Sequence, residues 1–306
     1  MTPTLTLFSA PKPFTNLHIR TIQRNAIQSW IELGPEVQVI LIGEEEGLAE
    51  TAAELKVRHL PDVRRNASGT PIVSSIFELA RNAGQSPIMA YINADIITLP
   101  NFLEGAQLAA DLSSNFLLVG QRWDLDIRTL IDFSPTWVER LVQDLNARGR
   151  LHARGGSDYF IFPRRCFTKI PDFAIGRAGW DNWMIYDCRR NGWPCVDATE
   201  TIRVIHQDHD YSHLPQGQPH YRLPETAENV QLAGGERSIF SLLDTNRRLV
   251  NGRLVSSKPG WKKFWRDVET FPLVRLHSKP LAQAAYACFH PKRAYRDFRI
   301  WLKGSH

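Results

Sequence analysis

The sequence predicts an α/β chain whose first half is doubly wound around a mainly parallel sheet. Three observations carry that prediction: short apolar runs recur through the first hundred residues, helix-period stretches separate them, and polar residues gather where the runs end. "LTLFSA" (5–10) reads as the first strand and "LHIRTIQRNAIQSWIEL" (17–33) as an amphipathic helix. "VQVILIG" (37–43) is a second strand, "GLAETAAEL" (47–55) a helix, and "VRHL" (57–60) a short strand. The helix "PIVSSIFELARNAG" (71–84) has Pro71 near its start and Gly84 beyond its end, the usual asymmetry of helix termini. The strand "PIMAYINADIIT" (87–98) closes this half, and helices of such length between strands imply βαβ units.

Beyond it, "NFLEGAQLAADL" (101–112) reads as a helix and "FLLVGQRWDLDI" (116–127) as one buried strand running out into polar residues. The pattern then loosens through "GGSDYFIF" (155–162), "GWDNWMIYDCRRNG" (179–192) and a strand-like "TIRVIHQDHDYSH" (201–213). Pro, Gly, Asn and Glu collect between 215 and 236, so 215–257 reads as a loop or linker.

Composition excludes several classes. With 43% hydrophobic and 23% charged residues the chain is globular rather than disordered. Its four cysteines, Cys166, Cys188, Cys195 and Cys288, form no C-x-x-C pair and are expected to be thiols in a reducing compartment. No stretch approaches the roughly 18 apolar residues of a spanning helix, and the first residues lack a signal-like run, so the expected location is cytoplasmic. The net charge of +5 is uneven: 11 Lys/Arg face 3 Asp/Glu from Lys258 onward, against 26 and 29 before it. A nucleic-acid binder spreads its cations over a folded face, so none is expected as a partner.

In open α/β sheets ligands bind beyond the carboxyl ends of strands. "FSAP", "GEEEG" and "NADI" stand there, with neither G-x-G-x-x-G after the first strand nor a P-loop anywhere. Asn93 and Asp95, two apart on a strand, are expected on one face, where two oxygens suit Mg²⁺ or Mn²⁺. The alternative is a turn at a strand end that Asp95 caps.

"YINADII" resembles the D-x-D element of GT-A-fold glycosyltransferases, and three later stretches match that family in order. "RGGSDYF" (154–160) is similar to its glycine-rich loop, "GWDNW" (179–183) to the helix-start motif that bears the base of inverting members, and "VIHQDHD" (204–210) to the strand-end histidine of the metal site. The resemblance implies a catalytic domain over 1–214, with a Rossmann-like nucleotide-sugar half at 1–112 and an acceptor half at 113–214. It also implies transfer of a sugar from a nucleotide sugar, a UDP-sugar in the first instance, to a carbohydrate or glycolipid hydroxyl, as in polysaccharide biosynthesis. Asp181 would be the base, and Asp95, His206 and Asn93 the metal ligands. Phe8, Ser9, Ala10, Glu44, Arg65, Asn93 and Asp95 would lie at the nucleotide. Gly155, Gly156, Trp123, Asp124 and Trp180 would lie at the acceptor.

Each assignment has a plainer counterpart. Asp181 could cap its helix, His206 could be a satisfied core histidine, Gly155 and Gly156 could mark a tight turn, and most Trp residues are packing residues. His209 and His213 raise a zinc reading. With Asn93 where the family has Asp, the site has one negative charge fewer, leaving room for Arg64 or Arg65 to meet phosphates. Two other classes stay open: a sugar-phosphate nucleotidyltransferase, whose basic glycine-rich loop after strand one is missing from "FSAPKPF", and a non-catalytic carbohydrate-binding protein of the same fold.

The tail 258–306 is expected to be a basic, aromatic helical appendix. Helical spacing puts Trp261, Phe264, Trp265 and Val268 on one side beside Lys262, Lys263 and Arg266. Either this stripe lies on an anionic membrane, making the protein peripheral to the inner face, or it folds back with its aromatics buried.

Overall fold

The computed structural model describes residues 3–155, 157–209 and 223–295. The chain opens with β1 (Leu5–Ser9), α1 (Leu17–Ile31), β2 (Val37–Ile42), α2 (Leu48–Glu54), β3 (Arg58–Leu60), α3 (Val73–Ala83) and β4 (Ile88–Ile92). It continues with β5 (Ile96–Thr98), α4 (Asn101–Leu112), β6 (Leu117–Val119), β7 (Trp123–Leu125), α5 (Trp137–Arg148), β8 (Arg150–Leu151) and β9 (Tyr159–Pro163). Then come α6 (Trp180–Arg190), β10 (Cys195–Asp197), β11 (Val204–Gln207), α7 (Pro224–Leu232), β12 (Arg247–Val250), β13 (Arg253–Ser256), α8 (Trp261–Val274) and α9 (Lys279–Phe289).

Nine strands form the main sheet in the order β13-β12-β10-β6-β9-β4-β1-β2-β3. Its pairs are parallel except those of β9, which runs against β4 and β6, and of β13, which runs against β12. Because side chains alternate along a strand, each central strand feeds both faces. Phe8, Ile40, Met89, Tyr91, Phe160 and Phe162 join α3 and α6 on one side, while Leu5, Leu7, Leu41, Ala90 and Ile161 join α1, α2 and α4 on the other. At the centre of the first core Phe77 stacks on Tyr91 and Phe162 with ring centroids 5.7 and 5.6 Å away, and meets Phe8 edge-on at 5.0 Å.

A second sheet, β5-β11-β7-β8, lies beside the first and packs on α5 through Ile97, Leu125, Ile205, Leu141 and Leu145. Helix α1 is its anchor. Buried Asn25 donates from Nδ2 to Gln207 Oε1 at 3.0 Å, Gln207 Nε2 donates to the Ile22 carbonyl at 2.7 Å, and Trp30 Nε1 donates to the Ile96 carbonyl at 2.9 Å. These bonds fix the end of β11, where His206 sits.

Several boundaries differ from the sequence reading. The run 87–98 is two strands: β4 stays in the main sheet, the chain turns at Asn93–Asp95, and β5 leaves to pair with β11. Both strands are fully buried, so their apolar patterns merge into one run. The run 116–127 divides likewise into β6 and β7. The interval 215–257 is not simply a linker, since α7 occupies 224–232 and β12 and β13 extend the main sheet. Its first residues lie outside the described ones. The four cysteines are free thiols, and no described helix is long and apolar enough to cross a membrane.

Candidate active site

The carboxyl ends of β1, β2 and β4 share one edge of the main sheet. The antiparallel β9 brings its leading end to the same edge, because Tyr159 pairs with Ile92. Asp158, just before β9, therefore meets Asn93, just after β4. The Asn93 amide donates through its backbone N to the Asp158 carbonyl and through Nδ2 to Asp158 Oδ1, both at 2.9 Å, and Asn93 Oδ1 accepts from the Tyr91 hydroxyl at 3.1 Å. Arg122, between β6 and β7, then joins Asp158 Oδ1 at 2.7 Å to Asp124 Oδ1 at 2.9 Å. Two carboxylates hold its guanidinium charge firmly in place: burial alone would lower its pKa, yet the net displacement is upward.

Across the turn, Asp95 Oδ2 lies 3.0 Å from His209 Nε2 and 3.7 Å from Lys12 Nζ. His206 Nδ1 stands 3.3 Å from Asp124 Oδ1, and Asp124 Oδ2 is 2.8 Å from His152 Nδ1. One ligand atom from each of Asp95, His206 and His209 lies within 4.8 Å of the others, and Asp124, His206 and Asp208 form a second such group. Burial pushes the Asp95 carboxyl up, but the His209 hydrogen bond and the charges of Lys12 and His206 outweigh it and hold the group far below the usual carboxylate range. Asp124 is likewise held low against burial by His206, His152 and Arg122.

Buried polar atoms without a hydrogen-bond partner gather along this edge: Ser9 Oγ, Asp95 Oδ1 and Ser157 Oγ. Such atoms are costly unless a ligand completes them. An orphaned carboxylate oxygen beside two imidazoles fits a divalent cation, and the nitrogen content suits Mn²⁺ better than Mg²⁺, which demands oxygen.

The third element is α6. Its N-cap is Gly179, whose φ of 112° is left-handed, and a Cβ there would stand 3.3 Å from Asn229 Cβ. Asp181 therefore sits inside the first turn rather than at the cap, with Oδ1 accepting from the Gly179 N–H at 3.2 Å. Burial pushes its carboxyl up to about 6, against the backbone bonds from Asn182 and Gly179, and the charge of Asp158 adds to the rise. Burial, followed by the charges of Asp95, Asp158 and Asp181, raises the Tyr91 hydroxyl.

The structure brings Asp95, His206 and Asp124 together and sets Asp181 in the first turn of α6, but it gives other sequence candidates different work. The Asn93 side chain bonds Tyr91 and Asp158 and is not offered to the Asp95 group; the two-apart strand argument fails because 93–95 is a turn. Asp124 is tied into the histidine and arginine network rather than presented to an acceptor. Trp180 and Phe8 are core: Trp180 packs on Tyr91 at 5.0 Å and Phe160 at 5.2 Å, so it offers no open sugar platform. Arg203 lies over the half-buried Trp123 ring at 5.8 Å. Arg65 is paired with Glu44 at 3.1 Å and Glu45 at 2.9 Å, and Arg64 with Asp172 at 3.5 Å, so the cation beside Asp95 is Lys12 instead. Ala10 is half-buried after β1, and Gly155 is exposed with open space around it. Gly156 and His213 lie outside the described residues.

Sequence reasoning missed Lys12, Arg122, His152 and Asp158. Asp158 had a signal, a lone carboxylate abutting the apolar "YFIF", but the reversed direction of that strand is a property of the sheet.

No family model and no curated protein matches the sequence. Solved structures do align with it. One is glucosyl-3-phosphoglycerate synthase from Mycobacterium tuberculosis with Mn²⁺, uridine diphosphate and glucosyl-3-phosphoglycerate: 14% identity, 76% of this chain, 81% of that chain, TM-score 0.48. Another is the mannosyltransferase PcManGT from Pyrobaculum calidifontis with GDP-Man and Mn²⁺: 10% identity, 69% of this chain, 59% of that chain, TM-score 0.42. A third, glucosyl-3-phosphoglycerate synthase from M. tuberculosis with Mn²⁺, UDP and phosphoglyceric acid, aligns at 15% identity over 76% of this chain and 79% of that one, with TM-score 0.47. Likeness this distant carries no argument about activity, which has to come from the residues of the site.

Proposed function

We propose that this chain is a GT-A-type glycosyltransferase that moves a sugar from a nucleoside-diphosphate sugar to an acceptor hydroxyl with inversion. The supporting observation is the buried Asp95 carboxylate, with one oxygen unpartnered beside His206 and His209, together with Asp181 in the first turn of α6, whose carboxyl burial raises to about 6 while that of Asp95 is held low. Two carboxyls pushed apart in this way suit different tasks, one moving a proton and the other holding charge.

In this reading Asp95, His206 and His209 hold Mn²⁺, which when bound supplies neutralisation of the diphosphate leaving group. Lys12 adds a protein cation at the same place. Asp181 takes the proton of the acceptor hydroxyl as its oxygen bonds to the anomeric carbon. The bond from that carbon to the diphosphate breaks, and its electron pair leaves with the nucleotide. Asn93 and Arg122 hold Asp158 in position, and its charge contributes to the raised Asp181 carboxyl. Ser9 and Ala10, closing β1, flank the nucleotide, for which UDP is the first candidate, and the acceptor is a carbohydrate or glycolipid hydroxyl.

Calorimetric titration with UDP-, GDP- and CMP-sugars, with and without Mn²⁺, tests the donor. Asp181→Asn should retain donor binding and lose turnover. Absence of binding by every nucleotide sugar would overturn the reading, and binding without turnover in the native chain would favour the non-catalytic alternative.

A further inference from the structure

Helix α8 is turned the wrong way for a soluble helix, which ordinarily buries its apolar stripe. Trp261, Phe264, Trp265, Val268 and Phe271 recur at spacings of three and four, so they share one face, and that face is exposed, from 40% at Trp265 to 73% at Trp261. The opposite face is buried with charges in it. Besides Leu273 and Val274 it carries Glu269, Arg266 bonded to Asp244 at 2.8 Å and to Glu269 at 3.1 Å, and a largely covered Lys263 held by Asp267 at 2.5 Å.

The exposed rings form a continuous patch. Trp261 meets Trp265 at 5.4 Å and Phe264 at 6.0 Å, and Trp265 reaches Phe289 of α9 at 6.0 Å. The charge around it is mainly positive. Every exposed charged residue from 258 to 295 is a cation; Lys258 and Arg293 are paired with Glu200 and Glu236, while Lys262, Arg275, Lys279 and Lys292 form the rim.

We propose that this face of α8, continued by Phe289, docks the protein on an anionic lipid bilayer. Rings of this kind settle at the boundary of head groups and acyl chains, and a rim of lysine and arginine matches the negative surface potential. With no described helix able to cross, α8 would lie in the plane of the interface. A second copy of the chain fits the patch less well, because two cationic rims would face each other. The inference stands on α8 and its surroundings and is independent of the catalytic reading.

The test is co-sedimentation of the full chain with vesicles of phosphatidylcholine alone or mixed with phosphatidylglycerol. Binding should be at least about tenfold stronger to the anionic vesicles and fall with added salt. Trp261→Ser with Phe264→Ser should lower it by at least about tenfold while leaving Tm unchanged, since both side chains are exposed. Lys262→Glu with Arg275→Glu should remove the preference for phosphatidylglycerol and provides a second variant if the first does not fold. Failure to bind anionic vesicles, or full binding by both double variants, would overturn the proposal. So would a concentration-dependent dimer in sedimentation velocity that the aromatic double variant dissolves.

Discussion

Replacing Asp181 with Asn should make the protein more stable at neutral pH and inactive. The folded chain raises this carboxyl from an ordinary 3.8 to about 6. Between those two values the folded state binds more protons than the unfolded one, so stability falls as pH rises through the window and stays reduced above it. The displacement corresponds to about 3 kcal/mol at about 1.4 kcal/mol per pH unit. Because Asp181 keeps some solvent contact, about 2 kcal/mol is the expected cost. Asn has nearly the same shape, can still accept the Gly179 N–H, and never ionises. Over 306 residues, at an unfolding entropy of about 2.1 cal/mol/K per residue, this is a Tm gain of about 3 °C at pH 7.5. The gain should shrink to nothing below about pH 3, where the carboxyl is protonated in both the folded and the unfolded state. Asp187, also raised to about 6 by burial, is present in both proteins and cancels. Scanning calorimetry across pH gives the Tm difference, and a product assay should show turnover reduced by roughly 10²- to 10⁴-fold. A variant no more stable at pH 7.5, a difference that ignores pH, or surviving turnover would refute the reasoning.

Asp95→Asn should weaken Mn²⁺ binding at least about tenfold by electron paramagnetic resonance of the free ion, because it removes the only carboxylate of the Asp95, His206 and His209 group. Lys12→Ala should lower nucleoside-diphosphate affinity about tenfold in calorimetry with little change in Tm, since its contacts to Asp95 and His209 are long and partly exposed. Arg122→Met should destabilise the fold by about 3–5 kcal/mol in urea, leaving Asp124 and Asp158 facing each other without their shared cation. Phe77→Ala should cost about 3–5 kcal/mol by the same measurement, as it empties the junction of Phe8, Tyr91 and Phe162.

The α/β class and the first seven elements were legible because helix and strand periods differ and the central strands are buried on both faces. Strand exchange between sheets was not. β4 and β5 carry the same kind of apolar residue, and only the partner, β9 or β11, tells them apart. For the same reason Asn93 looked like a ligand: its spacing from Asp95 has meaning on a strand and none in a turn. Asp95 stood out as a carboxylate near a strand end, whereas His206 and Asp181 were reached only through the resemblance of "VIHQDHD" and "GWDNW" to GT-A motifs. Arg122 and Lys12 were not, since a lone cation in a loop is a common surface feature until coordinates show which carboxylates it joins. The tail shows a converse limit. Its aromatic stripe was readable from spacing, but which side of α8 faces the body depended on Asp244, which accepts Arg266 from a distant turn.

The reversed course of β9 sets where this chain can tolerate a change in length. In an all-parallel sheet, extra residues in a connection entering the lower end of a strand stay away from the reactive edge, as they would in the turns at 33–36 and 191–194. Here the segment entering β9 arrives at that edge, so one additional residue between His152 and Ser157 would displace Asp158 and loosen its bonds to Asn93 and Arg122. Among homologues, length variation should accordingly spare 152–157 and accumulate at the far side of the sheet.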